Sequence, residues 1–519
     1  MNTPWWLSGV LYQIYPRSFA DTNADGVGDL RGVIGHLDHL AWLGVDGIWL
    51  SPITVSPNAD WGYDVADFCD VDPDYGTLAD LDALVAEARA RGIRVLLDLV
   101  PNHTSDRHPW FVDARSSRSA RHRDWYVWAD APNNWVSSFG GPAWTLDEAT
   151  GQYYLHNFLP EQPDLNWWNE EVVDAFDAIL RFWWDRGIAG FRIDVANMII
   201  KDRELRDNPA ATADDHWMVQ VFGQRAVYNS NRPEVHDVLR RWRSLAERYD
   251  PARVLIGETN VEELDTLLSF YGAGSDELHL AFNFVLINAP FEAKALRDVV
   301  EGTERRMPVD AWPVWTGSNH DMSRFPTRWA KGSASKARAA LLMLLTLRGT
   351  PVLYQGDEIG MTDVTLGESD LRDPVGVRFW PAYAGRDPVR TPMPWTRSGG
   401  FTGAGVASWL PLGDASAANV EDQRGDPSSM MWLAHDLIDL RRRTPDLQTG
   451  PYQSLSAPPD AWAWQRGEGV IVGLNLSDAA VTISDVEGTI AVCTQRGRDG
   501  EAVRGELRLA PWEAAVVSR

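Results

Sequence analysis

Gly190-Phe191-Arg192-Ile193-Asp194-Val195-Ala196-Asn197 is an apolar run that carries a cation and a carboxylate two residues apart. Side chains alternate along a strand, so Arg192 and Asp194 project to one side, where the guanidinium can hold the carboxylate ionised and oriented. A carboxylate in such a run is costly to bury, which reserves the position for a structural salt bridge or for chemistry. Three other apolar runs end in the same way: Val95 to His103, Val254 to Thr259 and Val314 to Asp321. Each delivers Asp, Glu or His where a strand gives way to a loop.

Outward from these runs, strand-like and amphipathic helical segments alternate. Leu11 to Tyr15 precedes a helix with Leu30, Val33, Ile34, Leu37 and Leu40, and Gly47 to Leu50 follows it. Leu78, Leu81, Leu84, Val85 and Ala88 mark another helix, closed by Arg91-Gly92. Further strands are expected at 94–99, 190–194, 254–258, 280–284, 313–317 and 350–354. Eight β/α units predict an α/β fold of the (β/α)8 TIM-barrel type. Residues 1–102 and 167–447 form the expected barrel. The irregular, Trp- and Pro-bearing stretch 103–166 is too long for a connection and reads as an inserted domain after strand three. A second irregular stretch, 361–427, reads as a long lid. After the helix Met430 to Arg443, short alternating runs predict a C-terminal antiparallel β domain, a β-sandwich over 448–519.

The chain has 519 residues, 44% hydrophobic and 23% charged, the composition of an ordinary globular protein. A net charge of -25 repels phosphate backbones and anionic lipid, so neither nucleic acid nor a membrane is an expected partner. Met1 to Val10 lacks the pattern of a secretory signal, and no run is long and apolar enough to span a bilayer. Cys69 and Cys493 are the only cysteines, without CxxC spacing, which predicts a reducing, cytoplasmic setting and no thiolate metal site. The 26 Trp residues serve core packing and can also stack on sugar rings.

In a β/α barrel the strand ends converge on one face, so Asp98, His103, Asp194, Glu258, His320 and Asp321 are expected in one cleft. Several carboxylates together suit a cationic transition state. Glycosidic cleavage has one, and it uses a carboxylate and a carboxylic acid flanking the bond. Beside Arg192, Asp194 is expected to stay ionised, and Glu258, near other anions, to have a raised pKa.

These four segments, together with Gly62-Tyr63-Asp64, Gln162-Pro163-Asp164-Leu165-Asn166, Gln355-Gly356-Asp357-Glu358-Ile359-Gly360 and Arg390-Thr391-Pro392-Met393-Pro394-Trp395, resemble the signature regions of the α-amylase family of glycoside hydrolases. The resemblance implies a retaining mechanism with Asp194 as nucleophile, Glu258 as general acid and base, and Asp321 as the carboxylate that binds sugar hydroxyls. Arg192 would orient Asp194, and His103 and His320 would donate to the first sugar. Asp98 either braces the barrel floor or touches substrate. The 162–166 and 390–393 segments are similar to those of α-glucosidases and oligo-1,6-glucosidases. That likeness implies exo action on small oligosaccharides, with Asp64 and Arg390 paired at the closed end of the pocket and Tyr63 as a stacking face; an internal salt bridge is the other reading of that pair. Val195, next to the nucleophile, goes with α-1,6 preference in some members, whereas Leu371 to Gly376 and Arg386-Asp387 look more like α-1,4-acting enzymes.

Asp21-Thr22-Asn23-Ala24-Asp25-Gly26-Val27-Gly28-Asp29 offers oxygen donors at alternate positions, Asp21, Asn23, Asp25, Val27 and Asp29, around a glycine turn. It departs from an EF-hand at Gly32, where a bidentate Glu belongs. The resemblance implies a structural Ca2+ (or Mg2+) here and no organic cofactor; an Asx-rich turn capping the helix from Leu30 is the alternative. Other readings stay open at this point: a sucrose-using or trehalose-forming transglucosidase, and a catalytically inactive barrel homologue, which the three retained carboxylates disfavour. The oligomeric state is left open.

Overall fold

The computed structural model describes residues 4–261 and 263–519, with Trp217 and Met218 described by backbone alone. Residues 1–3, at the head of the stretch read against a secretory signal, lie outside the described residues.

Eight parallel strands make the barrel: β1 Leu11–Ile14, β2 Gly47–Leu50, β3 Arg94–Leu99, β4 Gly190–Ile193, β5 Val254–Gly257, β6 Leu280–Ala281, β7 Val314–Thr316 and β8 Thr350–Tyr354. Their order, β6-β5-β4-β3-β2-β1-β8-β7, is sequential around the ring, and a parallel bridge between Phe282 and Val314 closes it. β2, β4, β5 and β8 are buried at every position, which is why a helix-covered parallel sheet reads as continuous apolar runs. Register sets the chemistry at this stage: Asp98 on β3 lies beside Arg192 on β4, and Arg192 beside Ile256 on β5.

Two elements differ from their sequence reading. β6 stops at Ala281 rather than continuing to 284, because Asn283 accepts a hydrogen bond from Leu286 N and caps a short helix, Phe284–Asn288. The helix expected through Leu40 is split into Leu30–Gly35 and Leu37–Leu43. His36 stands at the break, its Nδ1 bonded to the carbonyl of Gly32 and its ring against Trp395.

Residues 103–166 carry a three-stranded antiparallel sheet, Trp128–Ala129, Trp144–Asp147 and Gln152–Leu155, over a small core of Trp135, Ala143, Trp144 and Leu155. Residues 361–427 have an apolar cluster of their own, Leu366, Leu371 and Leu410, and bring Arg386 and Arg390 to the top of the barrel. In place of the β-sandwich expected over 448–519, six strands from Tyr452 to Ser518 form one hydrogen-bonded antiparallel sheet. The long strand Val481–Cys493, with register shifts at Ser484/Val486 and Ile490/Val492, lets that sheet bend around its own core.

Two fully buried arginines lie at the seam between this sheet and the barrel, Arg441 bonding within the barrel and Arg466 reaching across to it. Arg441, on the helix Met430–Arg443, donates to the carbonyls of Ser8, Leu345, Leu347 and Gly349. Arg466, ending the strand Ala461–Arg466, donates to those of Thr346, Leu447 and Gly450. Both cysteines are unpaired. Among the described residues no helix is long and apolar enough to cross a membrane.

Candidate active site

The strand ends converge on a pocket of about 680 Å3 whose lining includes Tyr63, His103, Asp194, Val195, Glu258 and Asp321. At its base lies Arg192, 1% exposed. Its Nη1 donates to Asp194 Oδ1 at 2.7 Å and to Asp98 Oδ1 at 2.9 Å, and its Nη2 lies 2.7 Å from Glu258 Oε2. One guanidinium therefore holds three carboxylates. Trp49 Nε1 and the Tyr63 hydroxyl also donate to Asp98, at 3.2 and 3.1 Å. Asp98 is thus a brace behind the pocket wall.

Burial, first among the causes, pushes the Asp194 carboxyl well above the usual carboxylate range; Arg192 opposes it, and the charges of Glu258 and Asp98 add to it. Asp98 is pushed up to about 7, again by burial ahead of Arg192. Three carboxylates around one cation carry excess negative charge, which favours proton uptake within the cluster. Arg192 is therefore not the private partner of Asp194, since Asp98 and Glu258 share it.

Val195 turns the chain immediately after Asp194 with φ 35°, a left-handed conformation that β-branched residues rarely adopt. The turn aims its N–H at Glu258 Oε2, 3.0 Å away. The strained backbone and Arg192 together fix the Glu258 carboxylate.

On the opposite wall Arg390 Nη2 donates to Asp321 Oδ1 at 2.8 Å, and His320 Nε2 lies 3.2 Å from Asp321 Oδ2. Burial pushes the Asp321 carboxyl up but is outweighed by His320, Arg390 and Arg386, which hold it well below the usual range. Gln13 Nε2 meets His320 Nδ1 at 2.8 Å, and the Tyr63 hydroxyl lies 2.5 Å from His320 Nε2, the two rings stacked at 5.4 Å. Asp64, Arg192, His320 and Arg390 stand behind the lining side chains.

The expected Asp64–Arg390 pair is not formed. Asp64 accepts from Ser56 Oγ and from the amides of Ala59 and Asp60, at 2.8 to 2.9 Å, so it braces its own loop. Four residues earlier, Asp60 lines the pocket and accepts from Arg386 Nη2 at 2.6 Å; the same nitrogen donates to Asp373 at 2.7 Å. Trp61 and Gly62, at φ 50° and 106°, make the turn that separates the two carboxylates. Arg386 and Asp373 belong to segments singled out in the sequence for linkage preference, and Asp60 was missed.

His103 meets the Tyr63 carbonyl through Nε2 at 2.9 Å and Asn102 Nδ2 through Nδ1 at 3.0 Å, with Gln162 Nε2 3.1 Å from the same Nε2. Burial lowers its pKa to about 4. A His depressed in the folded state binds its proton first in the unfolded chain. Its contribution is complete above about pH 6.5 and is lost as pH falls toward 4, on the order of 3 kcal/mol in all. His103→Gln removes that term. The Tm difference between wild type and this variant is expected to shrink from pH 7 to pH 4 in scanning calorimetry; a constant difference would refute the assignment.

The loop 21–29 closes on itself. Asp21 accepts from the amides of Asn23, Ala24 and Gly26 and from Thr402; Asp25 accepts from Val27 N, and Asp29 from Thr22 N and Gly32 N. Asp29 thus caps the helix from Leu30. Among the described residues no group of three or more His, Cys, Asp or Glu is arranged to hold a metal ion. The donors themselves, three carboxylates, an amide and a carbonyl, are the hard oxygens a divalent cation takes.

Three carboxylates at the strand ends of a (β/α)8 barrel suit glycosidic cleavage, and the relatives of this chain place it among the glycoside hydrolases. The sequence matches the family described as "Alpha amylase, catalytic domain" over residues 13–450, and the chain belongs to that family. It is 42% identical to a probable alpha-glucosidase of Rhizobium meliloti (strain 1021), over 98% of this chain and 96% of that one. It is 35% identical to an oligo-1,6-glucosidase of Parageobacillus thermoglucosidasius, over 99% of both. Among solved structures it is similar to an alpha-glucosyl transfer enzyme, with a TM-score of 0.93 and 40% identity over 100% of both chains.

Proposed function

We propose that the protein is an exo-acting retaining α-glucosidase that releases α-glucose from the non-reducing end of short α-glucosides, with α-1,4 bonds favoured. The observation that carries this is Arg192 reaching Asp194 and Glu258 at 2.7 Å each. One guanidinium spanning both favours the short carboxylate spacing of retaining enzymes, about 5 to 5.5 Å, over the roughly 6.5 to 9.5 Å of inverting ones. Asp194 attacks the anomeric carbon while Glu258 protonates the leaving oxygen. Glu258 then takes a proton from the water that cleaves the glucosyl ester. Asp321, held ionised, accepts from sugar hydroxyls. The Asp60–Arg386 pair, rather than Asp64 and Arg390, grips the terminal glucose, and this supports exo action.

The test is a panel of maltose, isomaltose, trehalose, sucrose and kojibiose, with the released anomer followed by proton NMR. Initial α-glucose with maltose ahead of isomaltose is expected; initial β-glucose refutes retention. Val195→Thr is expected to change the maltose to isomaltose ratio by several-fold, and an unchanged ratio removes Val195 as a selector. The similarity to a transfer enzyme favours a second reading, in which a sugar hydroxyl competes with water for the ester.

A structural Ca2+ or Mg2+ on Asp21, Asn23, Asp25, the Val27 carbonyl and Asp29 is part of the proposal, supported by the donor chemistry. Millimolar Ca2+ is expected to raise the Tm of EDTA-treated protein by several degrees, and Asp25→Ala to abolish the rise; equal Tm values with and without the ion would refute it. The two unpaired cysteines support a cytoplasmic setting.

A further inference from the structure

The lid and the inserted domain meet beside the proposed glucosyl site. Residues 136–142 of the inserted domain fold back as a tight turn: Val136 bridges Pro142, Ser137 N donates to the Gly141 carbonyl at 2.9 Å, and Gly140 N donates to that of Ser137 at 2.8 Å. Gly140 and Gly141, at φ 85° and 79°, make its tip. The lid helix Pro374–Phe379 lies against that tip; a Cβ at Gly140 would stand 3.1 Å from Phe379 Cζ, and one at Gly141 2.9 Å from Arg378 Nη2. Arg378 Nη1 donates to the carbonyls of Phe139 and Gly140, at 3.1 and 2.7 Å.

Phe139 is held from its other end as well. Its ring lines the pocket, meets Phe158 in a T-shaped contact at 5.4 Å and covers one face of Arg386, whose guanidinium carbon lies 5.0 Å from the ring centre. Arg386 pairs with Asp60 and Asp373, and the buried Asp373 also accepts from Val375 N, capping the helix that carries Arg378. The contacts form a closed circuit from the Phe139 carbonyl through Arg378, the helix, Asp373 and Arg386 back to the Phe139 ring. Arg378 itself is exposed, so its two bonds add little to stability. What they fix is direction. A ring kept over the guanidinium excludes water from the ion pairs, and a pair away from water is stronger and less screened by salt.

We propose that Arg378 is a positioning residue for glucose binding: it latches the lid to the turn of the inserted domain, holds the Phe139 ring over Arg386 and so shields the pairs that Arg386 makes with Asp60 and Asp373. The inference rests on the glucosidase reading, in which Asp60 and Arg386 grip the terminal glucose, and adds the residue that keeps this grip dry. The grip is the same before and during bond cleavage, so its loss is read in KM rather than in kcat.

Steady-state kinetics with maltose measure the consequence. Arg378→Ala is expected to raise KM about 5-fold with kcat held within about 2-fold, and to make KM climb about 2-fold further between about 0.02 and about 0.5 M NaCl, where that of the wild type stays level. Arg378→Lys, which keeps a donor for one carbonyl, should recover about half of the loss. Val377→Ala, at a 60% exposed position on the same helix, should change nothing. Phe139→Leu should raise KM as Arg378→Ala does, and the double variant no further than Phe139→Leu alone, because both act through one ring. An unmoved KM in Arg378→Ala, an equal rise in Val377→Ala, or effects that multiply in the double variant would overturn the latch. Hydrogen exchange on the whole chain without substrate measures the latch directly: the 136–142 amides are expected to exchange at least about 5-fold faster in Arg378→Ala and at the wild-type rate in Val377→Ala. Unchanged exchange in Arg378→Ala overturns the proposal. Faster exchange beside absence of turnover with every donor counts against the glucosidase reading alone.

Discussion

Asp194→Asn is expected to lower turnover of every α-glucoside by at least about 10^4-fold while leaving the fold intact. The amide keeps the shape of the carboxylate and can still accept from Arg192 Nη1, so packing around β4 is preserved. What is lost is the nucleophile. One anion also leaves a cluster in which Asp98, Asp194 and Glu258 crowd a single guanidinium, so the Tm is expected to stay level or rise. In Asp194→Ala, where the shortened side chain leaves room, azide should restore part of the rate and yield the β-glucosyl azide. Residual activity within 10-fold of wild type, or a Tm collapse that accounts for the loss, would remove Asp194 from this role.

Glu258→Gln should separate the two half-reactions. For maltose, whose leaving oxygen needs a proton, a loss of about 10^3-fold or more is expected, within the range of general acid catalysis. For p-nitrophenyl α-glucoside the first step needs little protonation, so pre-steady-state release of nitrophenol should fall far less, and the ester should accumulate because water has no base. Azide needs none, and should speed turnover and give the α-glucosyl azide. Opposite azide anomers from the two variants would identify nucleophile and acid/base by stereochemistry alone. The Val195 N–H, which meets Glu258 Oε2 in the wild type, keeps an acceptor in the carbonyl oxygen of the substituted amide, so the effect reports proton transfer rather than misplacement. Equal losses for both substrates in the first step would refute the assignment.

The barrel was legible because each of its strands is sandwiched between core and helices and so reads as an unbroken apolar run, with the polar residue at its end marking the loop. That logic reached Asp194, Glu258 and Asp321. It failed at Asp60: Asp60 and Asp64 are two carboxylates four residues apart in one loop, and Arg386 and Arg390 repeat the ambiguity on the other side. Which member faces the pocket depends on the left-handed turn at Trp61 and Gly62 and on the amides that Asp64 caps, a tertiary outcome with no periodic signal. That Arg192 is shared with Asp98 follows from register between neighbouring strands, which spacing along one strand does not show.

Arg441 and Arg466 lie sealed from water with main-chain carbonyls as their hydrogen-bond acceptors, one on the last barrel helix and one on the terminal sheet. Only Arg466 reaches across the seam, and peeling the sheet away would take from it the carbonyls of Thr346 and Leu447. The terminal sheet is therefore a keystone rather than an appendage: the barrel and its cap are expected to melt together in one calorimetric endotherm, and two separate endotherms would refute this.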